Sequence, residues 1–391
     1  MSFARHMPDR RDASAAASDA AAASPAFAAL FCERAGAEGR MRFDQFMALA
    51  LYHPQLGYYR QPRRRVGYGA GTDFFTASTS GPVFGELVCA AAKKLLADNG
   101  ESAADYVFVE IGAEPADGVG RGGGVLSGVR HPFAGARTIR LGEAIASGGK
   151  CVVFSNELFD AQPFRRFVFR DGAWRELGVA LDGGALREVE WHALPARDFV
   201  TPGQPRFSSL PPRAPEGWRL DLPFASVGLA REVCAQPWRG LFIACDYGKS
   251  WRELVEAAPG GTARAYHRHT LTNDLLARPG EQDLTCHVCW DWLADELAQN
   301  GFTNPAPRVE SQEAFFMRHA AEYLSVAIAG AGVVDAGGAA AAVAEAAAAA
   351  AKAVAARKRS LMQLLHPAHL GLRFQVLHAY RGQRDAGGVE A

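Results

Sequence analysis

Three short runs of apolar residues stand out in the hydrophobic pattern of the chain, and each ends in polar residues or glycine. They are "YVFVEIG" (106–112), "CVVFSNE" (151–157) and "GLFIACDYG" (240–248). Near-continuous apolar runs of this length are typical of strands that are buried on both faces of a parallel sheet. The pattern therefore predicts an α/β fold with these three strands in a mostly parallel sheet.

The polar residues that end these runs predict where a ligand would bind. In an open α/β sheet, ligands lie in the crevice outside the carboxyl ends of the strands. The residues that would face this crevice are Glu110, Gly112, Asn156, Glu157, Asp246 and Gly248, with Tyr247 between the last two. For Asp246 and Tyr247, an ordinary turn at the end of the strand is the alternative interpretation.

Other periodic segments surround the three runs. Apolar residues recur at helical spacing over 25–36, 42–52 and 85–99. Residues 164–230 alternate between apolar and polar positions around Asp-Gly and Gly-Gly turns, which predicts a β-rich insertion of antiparallel hairpins. Residues 327–356 are rich in alanine, the best helix former, and predict a low-complexity helix.

These segments indicate one domain over residues 27–384. Residues 1–26 are rich in Ala and Ser, with few large apolar side chains, and we expect a disordered tail there. Residues 27–100 would hold the N-terminal helices and a long Gly-, Arg- and aromatic-rich loop. A loop of that length in a compact domain is usually functional or disordered, and a lid is the functional interpretation.

The composition excludes some classes of partner. The 42 basic and 42 acidic residues balance, so there is no electrostatic case for nucleic acid. No apolar run reaches the roughly 18 residues that a membrane-spanning helix needs. The seven cysteines are scattered and mostly lie inside apolar runs, as in proteins of a reducing compartment. We expect a cytoplasmic protein, or a mitochondrial matrix protein if the source is eukaryotic.

A metal site is not expected from the cysteine spacing. Cys286 and Cys289 are three residues apart, but a structural zinc site needs a second ligand pair at a set spacing. In a strand, these two positions would also point to opposite faces.

The polar group at Asn156, Glu157 and Asp160 is the most informative candidate for catalysis. An amide and two carboxylates at a strand end can orient a substrate and exchange protons with it. The alternative is a helix N-cap, in which Asn156 and Asp160 accept from the free N–H groups of a following helix.

Phosphate-binding motifs are missing after the first run. "VEIGAEPADGVGRGGG" has neither the G-x-G-x-x-G dinucleotide fingerprint at the right place nor a phosphate-binding P-loop, which disfavours NAD and ATP. Its glycines could cradle another cofactor or form a solvated loop, and the sequence leaves both open.

Several motifs, taken in order, resemble the MidA-like family of S-adenosylmethionine-dependent methyltransferases. The family includes the mitochondrial complex I assembly factor that methylates an arginine side chain. The resemblance covers roughly residues 40–382. It depends on "FDQFMALALYHPQLGYY", "GTDFFTAS", "VFGEL", "VEIG", "NELFDAQP", "GLFIACDYG", "GTARAYHRHTLTNDLLARPGEQDLTCHV" and "HLGLRFQVL".

The resemblance implies a seven-stranded, Rossmann-like class I methyltransferase fold with a doubly wound sheet. It implies S-adenosyl-L-methionine as the cofactor and a protein side chain as the acceptor, arginine above all, with a complex I subunit as a possible partner. Asp73 and Thr76 would lie in a lid over the site, although Asp73 could instead form a plain Asx-turn. The residues implied in cofactor binding are Asp73, Thr76, Glu110, Gly112 and Glu143, the last as the acid for the ribose.

Two departures from the family favour a different function. The family has E-x-G-P-G-x-G at the first strand, but this chain keeps only the first glycine, Gly112, and has Glu114 at the second. The segment before Cys151 is also short and leaves room for a single strand. The alternative to an active methyltransferase is therefore a catalytically degraded relative that acts as a binding or assembly factor.

Overall fold

The computed structural model describes residues 23–62, 65, 72–73, 77–113, 123–193, 210–329 and 340–382. The helices within these ranges are α1 (Pro25–Ala35), α2 (Phe43–Tyr52), α3 (Pro82–Asp98), α4 (Phe224–Ala235), α5 (Trp251–Ala257), α6 (Trp290–Gln299), α7 (Gln312–His319), α8 (Ala321–Ala329) and α9 (Ala340–Leu365). The strands are β1 (Arg40–Arg42), β2 (Val107–Ile111), β3 (Gly135–Ile139), β4 (Gly149–Asn156), β5 (Arg165–Arg170), β6 (Ala173–Asp182), β7 (Ala185–Ala193), β8 (Arg219–Leu222), β9 (Trp238–Asp246), β10 (Gly248–Lys249), β11 (Arg264–His267), β12 (Thr270–Thr272), β13 (Asp283–Thr285), β14 (Val288–Cys289), β15 (Arg308–Ser311) and β16 (Gln375–Arg381).

The central sheet contains the three strands that the apolar runs predict. Its order is β15-β16-β9-β4-β2-β3. Strands β9, β4, β2 and β3 are parallel, while β16 and β15 are antiparallel additions at one edge. The predicted parallel strands and the α/β class are therefore confirmed. Six strands of this sheet are described, and β3 is the single strand beyond β2, in agreement with the short segment there.

Alternation along each strand fills a core on either face of the sheet. In β4, Val152 and Phe154 pack on one face with α3, α7 and α9, whereas Cys151 and Val153 pack on the other with α4 and α6. Successive side chains of a strand point to opposite faces, so a continuous apolar run serves both layers. The result is the doubly wound arrangement of a class I methyltransferase fold.

A second, antiparallel sheet covers one side of the molecule. Its order is β1-β6-β5-β8, with β7 also paired to β6. Its hairpins turn at Asp171-Gly172 and Gly183-Gly184, as the sequence pattern predicts. Helices α1 and α2 pack against it in a third core that also contains residues of the small β12-β11-β13 sheet.

Two expected boundaries are wrong. Residues 1–22 of the expected tail lie outside the described residues, but Pro25 and Ala26 belong to α1, because Ser24 caps this helix through the Phe27 N–H at 3.2 Å. The β-rich insertion ends at Leu222, since residues 224–230 are the first part of α4. The expected alanine-rich helix is present as α9 and runs through "RKRSLMQLL" to Leu365, while residues 330–339 lie outside the described part of the chain.

No helix among the described residues is both long enough and apolar enough to cross a membrane.

Candidate active site

A sharp turn follows β4, and Asp246 at the end of β9 holds it. The fully buried Asp246 accepts from the N–H groups of Leu158 (3.2 Å), Phe159 (2.9 Å) and Asp160 (3.4 Å) through Oδ2. Its Oδ1 accepts from the Tyr247 N–H at 2.8 Å. Asp246 is therefore part of the framework of the site, and it fixes where Asp160 lies.

The N-cap interpretation of Asn156 and Asp160 is wrong. No helix begins in the described stretch after Asn156, and the next element is strand β5. Glu157 has a left-handed backbone with φ of 51°, which is uncommon for a residue other than glycine. Such strained positions cluster at functional sites, where the surrounding structure holds them.

The turn forms one wall of a large cavity of about 960 Å³ at the carboxyl end of the central strands. Eight residues that the sequence singles out line it, namely Asp73, Glu110, Gly112, Asn156, Glu157, Asp160, Tyr247 and Gly248, whereas Asp246 is not among the lining residues. The volume lies at the upper end of the range for ligand pockets and leaves room for a cofactor and an acceptor side chain together.

Asp160 carries the most unusual polar atom of this cavity. The residue is 4% exposed, and its Oδ1 has no hydrogen-bond partner among the described residues. Burial, and then the neighbouring charges of Asp246, Glu157 and Asp283, raise its pKa well above the usual range. Unpaired buried carboxylates are costly, so the site is arranged for a cation or a proton donor.

Glu157 and Asn156 lie beside Asp160. Asn156 Nδ2 donates to Glu157 Oε1 at 3.2 Å, while Asn156 Oδ1 is buried and has no partner in the described structure. Burial and the charge of Asp246 raise the pKa of Glu157 well above its usual value. Two residues with an unpaired buried acceptor, Asn156 and Asp160, and a second carboxylate thus lie together in the wall of the cavity.

Sequence reasoning missed an aromatic wall and a third carboxylate. Tyr59 donates from its hydroxyl to Asp283 Oδ1 at 2.8 Å, and its ring stacks on Tyr52 at 5.6 Å between centroids. Tyr52 donates to the Ala161 carbonyl at 2.7 Å, next to the turn. All three residues line the cavity and lie in segments that carry the family resemblance, which was the signal available in the sequence.

Glu110 and Gly112 form the other end of the cavity. Glu110 Oε2 accepts from the Val125 N–H at 2.7 Å, and burial raises the pKa of Glu110 to about 7. Gly112 has φ of +80°, and a Cβ on it would lie 2.7 Å from Leu158 Cδ1. The glycine therefore lets the chain turn closely over the β4 loop. Glu114 and the glycines at 118, 120 and 122 lie outside the described residues.

Asp73 lines the cavity but is fully engaged with protein groups. Tyr58 Oη donates to its Oδ2 at 2.8 Å, and the Arg268 N–H donates to its Oδ1 at 2.9 Å. Its carbonyl accepts from the His269 N–H at 2.7 Å. Asp73 thus ties the early loop to the β11–β12 hairpin, and the plain Asx-turn does not account for these long-range bonds. Thr76 lies outside the described residues.

Glu143 and Tyr247 differ in their placement. Glu143 is exposed, its carboxylate accepts from the Arg140 N–H at 2.8 Å, and Arg140 rather than Glu143 lines the cavity. This placement does not support the expected ribose contact. Tyr247 lines the cavity and packs on Phe374 with 4.0 Å between ring centroids. Burial raises its pKa, so it stays neutral and serves as a wall.

Comparison with known proteins agrees with this geometry. Residues 136–307 match the model of a family described as "Putative S-adenosyl-L-methionine-dependent methyltransferase". A search of the curated proteins finds no match to the sequence.

Two solved structures share the fold. One is a COG1565 superfamily member from Burkholderia thailandensis bound to S-adenosyl-homocysteine, with 24% identity, a TM-score of 0.72 and 92% coverage of both chains. The other, a native COG1565 superfamily protein from the same organism, has 22% identity, a TM-score of 0.65 and again 92% coverage of both chains. The family match and the shared fold confirm that this chain resembles the MidA-like S-adenosylmethionine-dependent methyltransferases and has their fold.

Proposed function

We propose that this protein is an S-adenosylmethionine-dependent methyltransferase that acts on an arginine side chain of another protein. The observation that carries the acceptor assignment is the buried, unpartnered Oδ1 of Asp160 in a cavity wall shared with Glu157 and Asp283. A guanidinium matches such a wall because it is planar, always charged and offers five N–H donors. A complex I subunit as the acceptor protein rests on the sequence resemblance alone.

The described residues at the β2 end fit the cofactor. Gly112 and Ala113 bring little side-chain bulk to the strand end, and Val125, Leu141 and Leu158 line the neighbouring surface. Apolar walls with a few placed polar groups are what a cofactor with an adenine ring requires. Together with Glu110, these residues would hold S-adenosylmethionine. When bound, this cofactor supplies an electrophilic methyl group on a positively charged sulfur.

The β4 turn would hold and deprotonate the acceptor. Glu157 and Asn156 Oδ1 accept N–H bonds from the guanidinium and fix its plane, while Asp160 Oδ1 faces the nitrogen that reacts. The reacting nitrogen would lose one proton as it takes up the methyl group, with S-adenosyl-homocysteine as the leaving group, and that proton would pass to Asp160. The positive charge of a bound guanidinium would favour the ionised form of Asp160, and the raised pKa makes that carboxylate a stronger base than an ordinary one.

The tyrosines would align the acceptor. The stacked pair of Tyr52 and Tyr59 lies beside the carboxylates, and aromatic faces attract a guanidinium. Methyl transfer from a sulfonium needs in-line placement of the nucleophile, and positioning of this kind supplies much of the rate.

Two measurements test the proposal. Isothermal titration calorimetry with S-adenosylmethionine and S-adenosyl-homocysteine should give micromolar binding. A tritiated-methyl transfer assay on an extract from a strain that lacks the protein should label a protein, and its acid hydrolysate should contain methylated arginine. Label in another amino acid would overturn the arginine assignment only. Failure to bind either ligand at millimolar concentration would overturn the enzyme and favour the non-catalytic assembly factor.

A further inference from the structure

A second cluster of ligand-type side chains lies outside the lining of the cavity, at the edge of the central sheet. We call it the edge cluster, and it consists of Glu310 of β15, His319 at the end of α7 and His378 of β16. Both histidine Nε2 atoms face the same carboxylate oxygen. Glu310 Oε1 lies 3.1 Å from His378 Nε2 and 3.4 Å from His319 Nε2.

We propose that the edge cluster binds a divalent transition-metal ion, zinc in the first place, through Glu310 Oε1, His319 Nε2 and His378 Nε2. Zinc binds imidazole nitrogen and carboxylate oxygen at about 2.0–2.2 Å in tetrahedral sites, so two ligand atoms of one site lie roughly 3.3 Å apart. The two nitrogen–oxygen distances of the cluster fall on either side of this value. Its three ligand atoms also all lie within 4.8 Å of one another.

The chemistry of the cluster matches the geometry. Two imidazoles and one carboxylate form a donor set that suits zinc better than magnesium or calcium, which prefer oxygen ligands alone. The two histidines are buried, with 9% and 6% of their surface exposed, so few waters compete with an ion for their ring nitrogens.

Neighbouring groups orient the three ligands. Arg318 Nη1 contacts Glu310 Oε2 at 2.8 Å, which occupies the other carboxylate oxygen and leaves Oε1 turned toward the histidines. The Phe315 ring packs on both imidazoles, with centroids 5.1 and 5.2 Å away. In known metal sites, contacts of this kind hold the residues that coordinate the metal in the required orientation.

A bound ion would join three elements, one of which, β16, borders the cavity. It would fasten the end of α7 to β15 and β16, and β16 begins at Gln375, which lines the cavity. Gln375 Oε1 accepts from the N–H of Gly248, the first residue of β10, at 3.0 Å. We therefore assign the ion a structural task, with no part in methyl transfer.

The competing explanation is that Glu310 bridges the two histidines by hydrogen bonds without any metal. Elemental analysis of the purified full chain should find one zinc per protein. After treatment with a chelator, zinc alone should restore a higher melting temperature. Cobalt(II) added to the stripped protein should give the intense visible absorption of tetrahedral coordination.

Variants distinguish zinc binding at the edge cluster from zinc binding by other histidines. His319→Gln and His378→Gln should each weaken zinc binding by about 100-fold or more, because a ligand is lost. Arg318→Gln should retain the site. His366→Gln with His369→Gln is the matched control, because this second histidine pair has rings 5.5 Å apart and lies outside the cluster.

Two results would overturn the metal site. One is a wild-type chain that binds zinc more weakly than about 1 µM by competition with a chromophoric chelator, a measurement that needs no variant to fold. The other is tight binding that survives His378→Gln but disappears in the His366 and His369 control.

Discussion

Two buried aspartates meet at the β4 turn, and their surroundings assign them different tasks. Asp246 accepts from four backbone N–H groups, so its charge is balanced by fixed dipoles. Asp160 is equally buried, but its Oδ1 has no partner in the described structure. The first aspartate shapes the site, and the second keeps an unpaired acceptor atom in the wall of the cavity.

We expect Asp160→Asn to abolish chemistry without loss of fold. The amide keeps the shape but cannot take a proton, so methyl transfer should fall by on the order of a hundredfold or more. Cofactor affinity should change little, and the melting temperature at pH 7 should rise, because the amide removes the cost of burying an acid whose pKa is raised on folding. Transfer assays, calorimetry and thermal melts check this. Unchanged transfer would contradict the assignment of Asp160.

Asp246→Asn is the matched contrast. In the wild type, both side-chain oxygens of Asp246 accept from backbone N–H groups. In the variant, an amide nitrogen replaces one of these oxygens and cannot accept, so at least one backbone donor is left unpaired at a cost of about 1–3 kcal/mol in stability. We therefore expect the free energy of unfolding to fall, and activity to fall with it because the turn loosens. Denaturant melts measure the first effect. A variant as stable as the wild type would show that Asp246 does not hold the turn.

Gly112→Val should prevent cofactor binding in a folded protein. The strand-end backbone is left-handed here, and a Cβ would lie 2.7 Å from Leu158 Cδ1, so the turn must shift where the cofactor would lie. Calorimetry should detect no binding. Gly112→Ala with Leu158→Ala removes the contact but keeps the strain, and we expect it to recover part of the affinity. Normal binding by Gly112→Val would move the cofactor away from β2.

At the scale of single residues, the sequence predicts position better than role. The strand ends near Glu110, Asn156 and Asp246 follow from apolar runs, and they do meet at one cavity. The hydrogen bonds that hold the β4 turn cannot be predicted from these runs. Three of the four N–H groups that donate to Asp246 belong to the turn after β4, which is far from Asp246 in sequence. The role expected for Glu143 could not be checked from sequence either. Its carboxylate accepts from the nearby Arg140 N–H in a local turn, and a ribose contact is not supported.

At the scale of elements, the early loop and the β11–β12 hairpin form one unit through Asp73. Its two oxygens and its carbonyl accept from Tyr58, Arg268 and His269. Arg268 and His269 have left-handed backbones, as the tight turn between β11 and β12 requires. The early loop therefore binds to a turn of defined shape. The segment that the resemblance implies as a lid is therefore anchored at this point.

We expect Asp73→Ala to loosen this unit. It leaves the buried Tyr58 hydroxyl and the Arg268 N–H without their acceptor, which costs about 1–3 kcal/mol for each group that water cannot reach. KM for the acceptor should rise more than kcat falls. Tyr58→Phe is the control that removes one bond only, and it should show a smaller effect. Equal kinetics in Asp73→Ala and the wild type would exclude a link between the anchor and the site.

Element prediction succeeded where the pattern is periodic and failed where long-range contacts decide. Alternation predicts the hairpins of β5, β6 and β7, and apolar runs predict β2, β4 and β9. The end of the insertion at Leu222 was missed because α4 begins directly after Pro223, within the same apolar stretch. The edge cluster was missed because Glu310 and His378 are far apart in sequence and meet only through strand pairing.

At the scale of the whole molecule, buried carboxyls set how stability depends on pH. The pKa of Glu110 and that of Asp246 are each raised to about 7, mainly by burial, and those of Glu157 and Asp160 are raised as well. An acid whose pKa is raised on folding stabilises the protein below its unfolded pKa of about 4. That stability is lost as the pH rises through the folded pKa. Carboxyls with lowered pKa values, such as Glu101 and Glu310, stabilise the protein above about pH 4, and that stability is lost as the pH falls through their folded pKa values.

We therefore expect the melting temperature to be highest near about pH 5 and to fall toward about pH 8, by several degrees, at constant ionic strength. Glu110→Gln should flatten this fall, because the amide oxygen can still accept from Val125 while the ionisation is removed. Glu143→Gln, at an exposed carboxyl, should leave the profile unchanged. Thermal melts of the three proteins at four pH values decide the matter. A melting temperature that rises from pH 5 to 8 would mean that these carboxyls are ionised and paired in the folded protein, and it would remove the unpaired acids from which the arginine site is inferred.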